Sequence, residues 1–95
     1  MIFRRRPYMR RVRQRFKEQT RFLIAWLKQR PCQDCGGTFP PECMDFDHRP
    51  GTTKRFGISN GQHYNWPTLL AEVEKCDLVC ANCHRTRTWQ RRQAR

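Results

Sequence analysis

The sequence predicts a small α+β domain built around a four-cysteine structural zinc, with an amphipathic basic helix added at its N-terminal end. Three observations carry this. Cys32-Gln33-Asp34-Cys35 and Cys80-Ala81-Asn82-Cys83 are Cys-x-x-Cys pairs separated by 44 residues. Cys43-Met44-Asp45-Phe46-Asp47-His48 alternates apolar and polar residues up to Asp47, as a half-buried strand does. Residues 8–30 place their apolar side chains at helical spacing. At 95 residues, one domain is the natural reading. A chain this short buries only about 60–65% of the surface its unfolded form exposes. Such a core is marginal without a staple, and a metal is the obvious one.

In the first helix, Tyr8, Met9, Phe16, Leu23, Trp26 and Leu27 all fall within about 60° of Val12 at 100° per residue. Arg10, Arg13, Lys17, Arg21 and Lys28 lie on or near the opposite side, an apolar stripe with a basic back. Pro7 suits a helical first turn and Pro31 stops the helix. Gly36-Gly37 lets the chain turn tightly after the first cysteine pair, so that backbone N–H groups point at thiolate sulfur. Pro40-Pro41 rigidifies the approach to the strand. His48 stands at the strand's end before Pro50-Gly51, a turn expected to free Asp47 and His48 from strict alternation so that both address one site. Thr52 to Ser59 is expected to form the returning strand, and Asn60 to Asn65 a loop. Pro67 opens a short helix with Leu69, Leu70, Val73 and Cys76 on one side. Asp77-Leu78-Val79 leads into the second cysteine pair. A final helix begins within that pair and runs to about Arg92, with His84 in its first turn and Arg85, Arg87, Arg91 and Arg92 after it.

Charge divides the chain in three. Residues 1–31 hold eleven Lys or Arg and one acid, Glu18; residues 32–84 hold four bases and seven acids; residues 85–95 hold five Arg and no acid. Basic flanks around a mildly acidic centre suit a polyanion on the outside and a divalent cation inside. Met1-Ile2-Phe3 runs straight into Arg4-Arg5-Arg6, so no secretory signal is read. The longest apolar run, Phe22 to Leu27, is too short to span a bilayer. A cytoplasmic protein with no membrane partner is therefore expected, and in that compartment paired Cys-x-x-Cys motifs favour metal over disulfides.

Zinc takes four thiolates in a tetrahedron, and two pairs complete its shell without water, which marks a structural site. Cys32, Cys35, Cys80 and Cys83 are the expected ligands. The zinc would close a loop holding a strand pair and a helix, offsetting much of the missing core. Cys43 and Cys76 lack paired spacing and are expected to be small buried apolar residues. His84, one residue past the last ligand, points about 100° away from it on a helix, off the zinc and toward whatever packs beside it. With Asp47 and His48 there, one carboxylate and two imidazoles would meet. Trp66, Trp89 and Tyr64 are expected to pack rather than intercalate.

The combination of Cys-x-x-Cys, Asp47-His48 and Cys80-x-x-Cys83-His84 resembles the HNH endonuclease family, with its zinc-bound ββα-metal (His-Me finger) fold. The match covers about residues 32–88; it leaves residues 1–31 as a separate basic helix and 89–95 as an Arg-rich helix end or tail. It implies hydrolysis of a DNA phosphodiester with one catalytic divalent ion. His48 matches the family's general base, Asp47 the metal-binding residue before it, and His84 the metal-binding last histidine. Mixed O/N ligation by Asp47 and His84 suits Mg²⁺, Mn²⁺ or Ni²⁺. Arg85, Arg87, Lys54, Arg55, Arg10, Arg13, Lys17 and Arg21 are the expected DNA contacts. The family's middle asparagine has no counterpart in its usual place, where the chain reads Lys75-Cys76-Asp77. Asp77, Asn65 and Asn60 are the candidates for orienting His48, while Asn82 lies within the knuckle. A monomer has one site and would nick; two cuts would require a homodimer or two visits. Phage packaging machinery is a further partner the resemblance suggests. The rival readings are a non-catalytic zinc module that binds nucleic acid and an RNA- or ribosome-binding protein.

Overall fold

The computed structural model describes residues 7–94; Arg4-Arg5-Arg6 and Arg95 of the basic flanks lie outside them. Helix α1 spans Pro7–Leu27. Nothing between Pro7 and Pro31 breaks it, and Arg, Gln, Lys and Leu are strong helix formers. It stops earlier than the expected residue 30. The N–H groups of Lys28 and Gln29 close a last turn on Ile24, Ala25 and Trp26 carbonyls, and Pro31 forces Arg30 out of helical geometry.

The buried face of α1 is not centred on Val12, which is 59% exposed; Thr20 is the one fully buried side chain in the described part of the helix. Ile24 and Leu23 pack beside it into the core. At 100° per residue the buried side runs from about 20° (Leu23) through about 80° (Thr20) to about 120° (Ile24) from Val12, so it overlaps only one edge of the expected stripe. A polar anchor helps hold it there: Trp66 Nε1 donates to Thr20 Oγ1 at 3.0 Å, and Thr20 Oγ1 donates back to the Phe16 carbonyl at 2.9 Å. Tyr8, Met9, Val12, Phe22 and Trp26 are left exposed.

Strand β1, Met44–His48, pairs antiparallel with β2, Cys76–Cys80, in the register Met44↔Cys80, Asp45↔Val79, Phe46↔Leu78, Asp47↔Asp77 and His48↔Cys76. The expected returning strand over 52–59 does not form. That segment lies as coil entering a 3₁₀ turn at Ile58–His63. Its backbone groups are satisfied elsewhere: the Arg55 N–H donates to Glu72 and the Thr53 carbonyl accepts from Lys75 Nζ. Phe56 and Ile58 then turn inward. The segment read as a lead-in to the second cysteine pair is the true partner strand.

Helix α2, Trp66–Val73, is capped by Asn65, whose Oδ1 accepts from Thr68 N–H at 2.9 Å. Helix α3, Ala81–Gln93, starts at the second cysteine pair as expected and runs unbroken through residue 89. Two small clusters make the core. Cys32, Met44, Val79 and Cys80 form one, beside the thiols. Phe56, Ile58 and Leu69 form the other, with Ile24, Phe46, Tyr64 and Cys76 against it. Tyr64 stacks on Phe56 at 3.8 Å, so it packs as expected. Gly61 lets the 3₁₀ turn close over Leu69, because a Cβ there would sit 2.5 Å from Leu69 Cδ1. Cys76 is half-buried, but Cys43 is exposed, contrary to its expected place in the core. It ends the short 3₁₀ turn Pro41–Cys43, outside the ladder that would have alternated it inward. Among the described residues, no helix is long and apolar enough to cross a membrane.

Leu69 and Leu70 separate core from surface within one helix, since Leu69 is fully buried and Leu70 is 39% exposed. Leu69→Ala is expected to cost about 2–5 kcal/mol and Leu70→Ala under about 1 kcal/mol, read from urea unfolding midpoints.

Candidate functional site

The four paired cysteines converge. The Sγ atoms of Cys32, Cys35, Cys80 and Cys83 all lie within 4.8 Å of one another, with Cys35 and Cys80 at 4.0 Å. Thiolates about 2.3 Å from a tetrahedral zinc stand about 3.8 Å apart, so the cluster fits that ion. Local backbone builds it. Gly36 takes φ +73°, which an L side chain would resist, and turns the chain so that Gly37 N–H meets Cys35 Sγ at 3.4 Å. Cys32 Sγ accepts from the N–H groups of Cys35 and Cys80, and Cys80 Sγ from Cys83 N–H as the cap of α3. The Gln33 N–H donates to the Leu78 carbonyl and ties the first knuckle to β2.

Four thiols this close cannot ionise independently. Burial pushes the Cys32 thiol up, but the N–H groups of Cys35, Cys80 and Asp34 outweigh it and bring it to about 6. Cys83 is pushed up to about 12, first by its hydrogen bond with Cys80, then by burial and by Cys32 and Cys35. A divalent cation removes this conflict by compensating all four sulfurs at once. All six cysteines are free thiols, which agrees with metal rather than disulfide use.

Beside the cluster, the alternation of β1 sends Asp45 and Asp47 toward α3. His84, in the first turn of α3, stands between them: Nδ1 is 3.0 Å from Asp45 Oδ2 and Nε2 is 3.6 Å from Asp47 Oδ1. A carboxylate on Nδ1 selects the Nδ1–H tautomer and leaves the Nε2 lone pair facing Asp47. Two donors each about 2.1 Å from a common ion stand about 3.0–3.6 Å apart. The 3.6 Å between His84 Nε2 and Asp47 Oδ1 lies at the upper end of that spacing.

Asp47 is also the hub of an ion-pair network. Arg91 donates to it twice, Nη1 to Oδ1 at 2.9 Å and Nη2 to Oδ2 at 2.7 Å, and Arg87 Nη1 donates to Oδ2 at 3.0 Å. Burial opposes ionisation of Asp47, but Arg91 and Arg87 bring its carboxyl below the usual range. A carboxylate offers about four acceptor sites, so three guanidinium bonds leave one for a cation. Arg87 also holds Asp77 at 2.9 Å and, through Nε and Nη2, Asp34 at 2.6 Å.

His48 stands apart. It is the last residue of β1, paired with Cys76, so the alternation expected to loosen there persists through it. Its side chain turns to the α2 face, where Nε2 lies 2.8 Å from Oε2 of the buried Glu72. None of the three residues considered for orienting it does so by a side-chain hydrogen bond. Asn65 caps α2, Asp77 pairs with Arg87 and Arg49, and Asn60 lies in the 3₁₀ turn.

The expected phosphate contacts separate too. Arg85 is exposed and, with Arg92, lines a groove of about 680 Å³ beside His84, Asn82, Thr88 and Trp89. Trp89 is exposed there, not packed. Arg87 is turned inward, with only 17% of its side chain exposed. Arg10, Arg13 and Arg21 are exposed along α1 and Lys17 is half-buried. Lys54 is exposed, while the Arg55 guanidinium lies 5.9 Å from the Tyr64 ring centroid.

Sequence reasoning missed Asp45, Glu72 and Arg91 as contacts of the site. Each leaves a periodic signal. Asp45 is two residues from Asp47 on the same strand face, Arg91 is four from Arg87 on one helix face, and Glu72 interrupts the apolar side of α2. Comparison with family models, with curated proteins and with solved structures gave no match.

Two outcomes are expected. Metal analysis should find one zinc per chain, kept in Cys43→Ala and lost in Cys83→Ala, with loss of the folded circular dichroism signal in the latter. The Glu72 carboxyl is held near 2, against an ordinary 4.5, by Lys75, then by the Arg55 N–H and His48, with burial opposing. A depressed carboxyl stabilises the fold fully above its unfolded value and loses that contribution as pH falls through the folded one. Unfolding midpoints should therefore drop between pH 4.5 and about 2, and less steeply in Glu72→Gln.

Proposed function

We propose that this chain is a metal-dependent endonuclease of the HNH type, hydrolysing DNA phosphodiester bonds. The observation that carries the reading is His84 held between Asp45 and Asp47, with its Nε2 3.6 Å from Asp47 Oδ1. The four thiols hold a structural zinc, and Asp47 with His84 holds the catalytic Mg²⁺, Mn²⁺ or Ni²⁺. Bound there, a divalent ion supplies a Lewis acid for the scissile phosphate and its leaving 3′-oxygen.

The chain's own residues do the rest. Asp45 fixes the His84 tautomer. Asp47 and His48 leave the strand on opposite faces, and the scissile phosphate would have to reach both from the strand end. His48 takes the proton of the attacking water, the role of a positioned imidazole in general base catalysis. Arg85 and Arg92 flank the groove beside His84 and can neutralise phosphate oxygens there. Arg10, Arg13 and Arg21 extend the basic surface along α1, where they can meet the DNA backbone.

A second reading, a non-catalytic zinc module that binds nucleic acid, is favoured by one feature, the clamp of Arg87 and Arg91 on Asp47. One assay separates them. Supercoiled plasmid incubated with the protein and Mg²⁺ or Mn²⁺ should yield open-circle or linear product. His48→Ala should slow this by about 10²–10⁴-fold while keeping zinc and DNA affinity. Parental cleavage by His48→Ala would remove His48 as the base. DNA binding without cleavage by the wild type would select the second reading.

A further inference from the structure

We propose that Glu72 is the positioning residue for His48: its carboxylate takes the Nε2 proton, fixes the ring, and leaves Nδ1 as the nitrogen that faces water. This rests on the nuclease reading of His48. The contact is 2.8 Å long, and an ionised carboxylate can only accept, so the shared proton sits on Nε2. Neutral imidazole then carries its lone pair on Nδ1. Among the described residues Nδ1 has no hydrogen-bond partner, and no buried side-chain nitrogen or oxygen lacks one; Nδ1 is therefore within reach of solvent.

Glu72 is built to hold still. Oε2 accepts also from the Arg55 N–H at 2.9 Å, and Oε1 from Lys75 Nζ at 2.8 Å. Lys75 Nζ is itself fixed by the Thr53 carbonyl. The side chain is fully enclosed, one turn beyond Leu69 on a helix whose start is capped. Lys75 and the Arg55 N–H fill two of its acceptor sites, and the third contact is to a histidine at a strand end. Two carboxylates thereby set the two imidazoles in opposite senses: Asp45 exposes Nε2 of His84 toward Asp47, and Glu72 exposes Nδ1 of His48 toward water.

The test is the ring-nitrogen spectrum of ¹⁵N-labelled full-length protein, with His48→Ala assigning the signals, together with single-turnover plasmid cleavage. In the wild type, the neutral His48 ring should be the Nε2–H tautomer. Glu72→Met keeps the volume and removes the acceptor. It should mix the tautomers and lower the cleavage rate about 10–100-fold, the usual cost of losing an orienting partner. KM for DNA should stay within about twofold, since binding is not what is lost. Glu72→Gln keeps an acceptor oxygen and should retain the tautomer and most of the rate. A wild-type ring protonated on Nδ1 overturns the proposal, as does a folded, zinc-bound Glu72→Met that cleaves at the parental rate. If Glu72→Met does not fold, the wild-type tautomer and Glu72→Gln still decide. A wild type with the Nε2–H tautomer that cuts no DNA overturns the nuclease reading, and leaves the hydrogen bond as a structural one.

Discussion

The fold depends on four sulfurs drawn to one point from segments 45 residues and more apart in sequence. The two apolar clusters hold only a handful of fully buried side chains, too few to fix a two-stranded sheet and three helices by burial alone. One cluster is itself half cysteine, so thiol chemistry and packing are the same contact there. The cluster also fixes direction. Cys80 ends β2 and caps α3, so whatever holds its sulfur also sets the angle at which α3 leaves the sheet. That angle brings His84 over β1. A metal held at this joint would act on His84 through the first turn of α3.

Buried charge is the second organising element. Asp47 and Asp77 stand opposite each other across the ladder, an arrangement that repels unless a cation bridges it. Arg87 bridges both and reaches Asp34 in the first knuckle as well. The guanidinium therefore links β1, β2, α3 and the turn before β1. On the other face of the same strand, Glu72 meets His48 and Lys75. Breaking either network would leave an uncompensated carboxylate inside a small domain, which costs more than the pairing gains. These networks thus specify register: a one-residue slip of β1 would turn Asp47 to the face that holds Met44 and Phe46.

Much of this was legible in the residues. Paired Cys-x-x-Cys spacing identified the thiol cluster, and the position of His84 behind the last cysteine placed it off the metal. Pro31 and Pro67 marked helix limits to within a few residues. What could not be read was tertiary. The segment 52–59 has strand-like composition, but its hydrogen bonds go to Glu72 and Lys75, side chains whose place depends on α2 already being packed. The orientation of α1 rests on Leu23 and Ile24 packing and on an indole-to-hydroxyl bond across 46 residues. His48 was expected to share a face with Asp47 because a turn follows it; the ladder instead continues through His48 and keeps the two apart. Local signals fixed elements, and long-range polar contacts fixed which way they faced.

The same distinction applies to charge. Composition assigns every arginine after residue 84 to a basic flank, but α3 divides them by phase. At roughly 100° per residue, Arg87 and Arg91 fall on one side of His84, and Arg85 and Arg92 on the other. The first two turn inward and neutralise Asp34, Asp47 and Asp77; the second two line the open groove. His84 lies at the boundary. The helix therefore presents less positive charge to a polyanion than its sequence implies, and what it does present is concentrated beside the one imidazole that faces a carboxylate pair. An anion drawn to Arg85 and Arg92 would arrive next to His84 and not elsewhere on the helix. Selectivity of place comes here from helical phase, not from net charge.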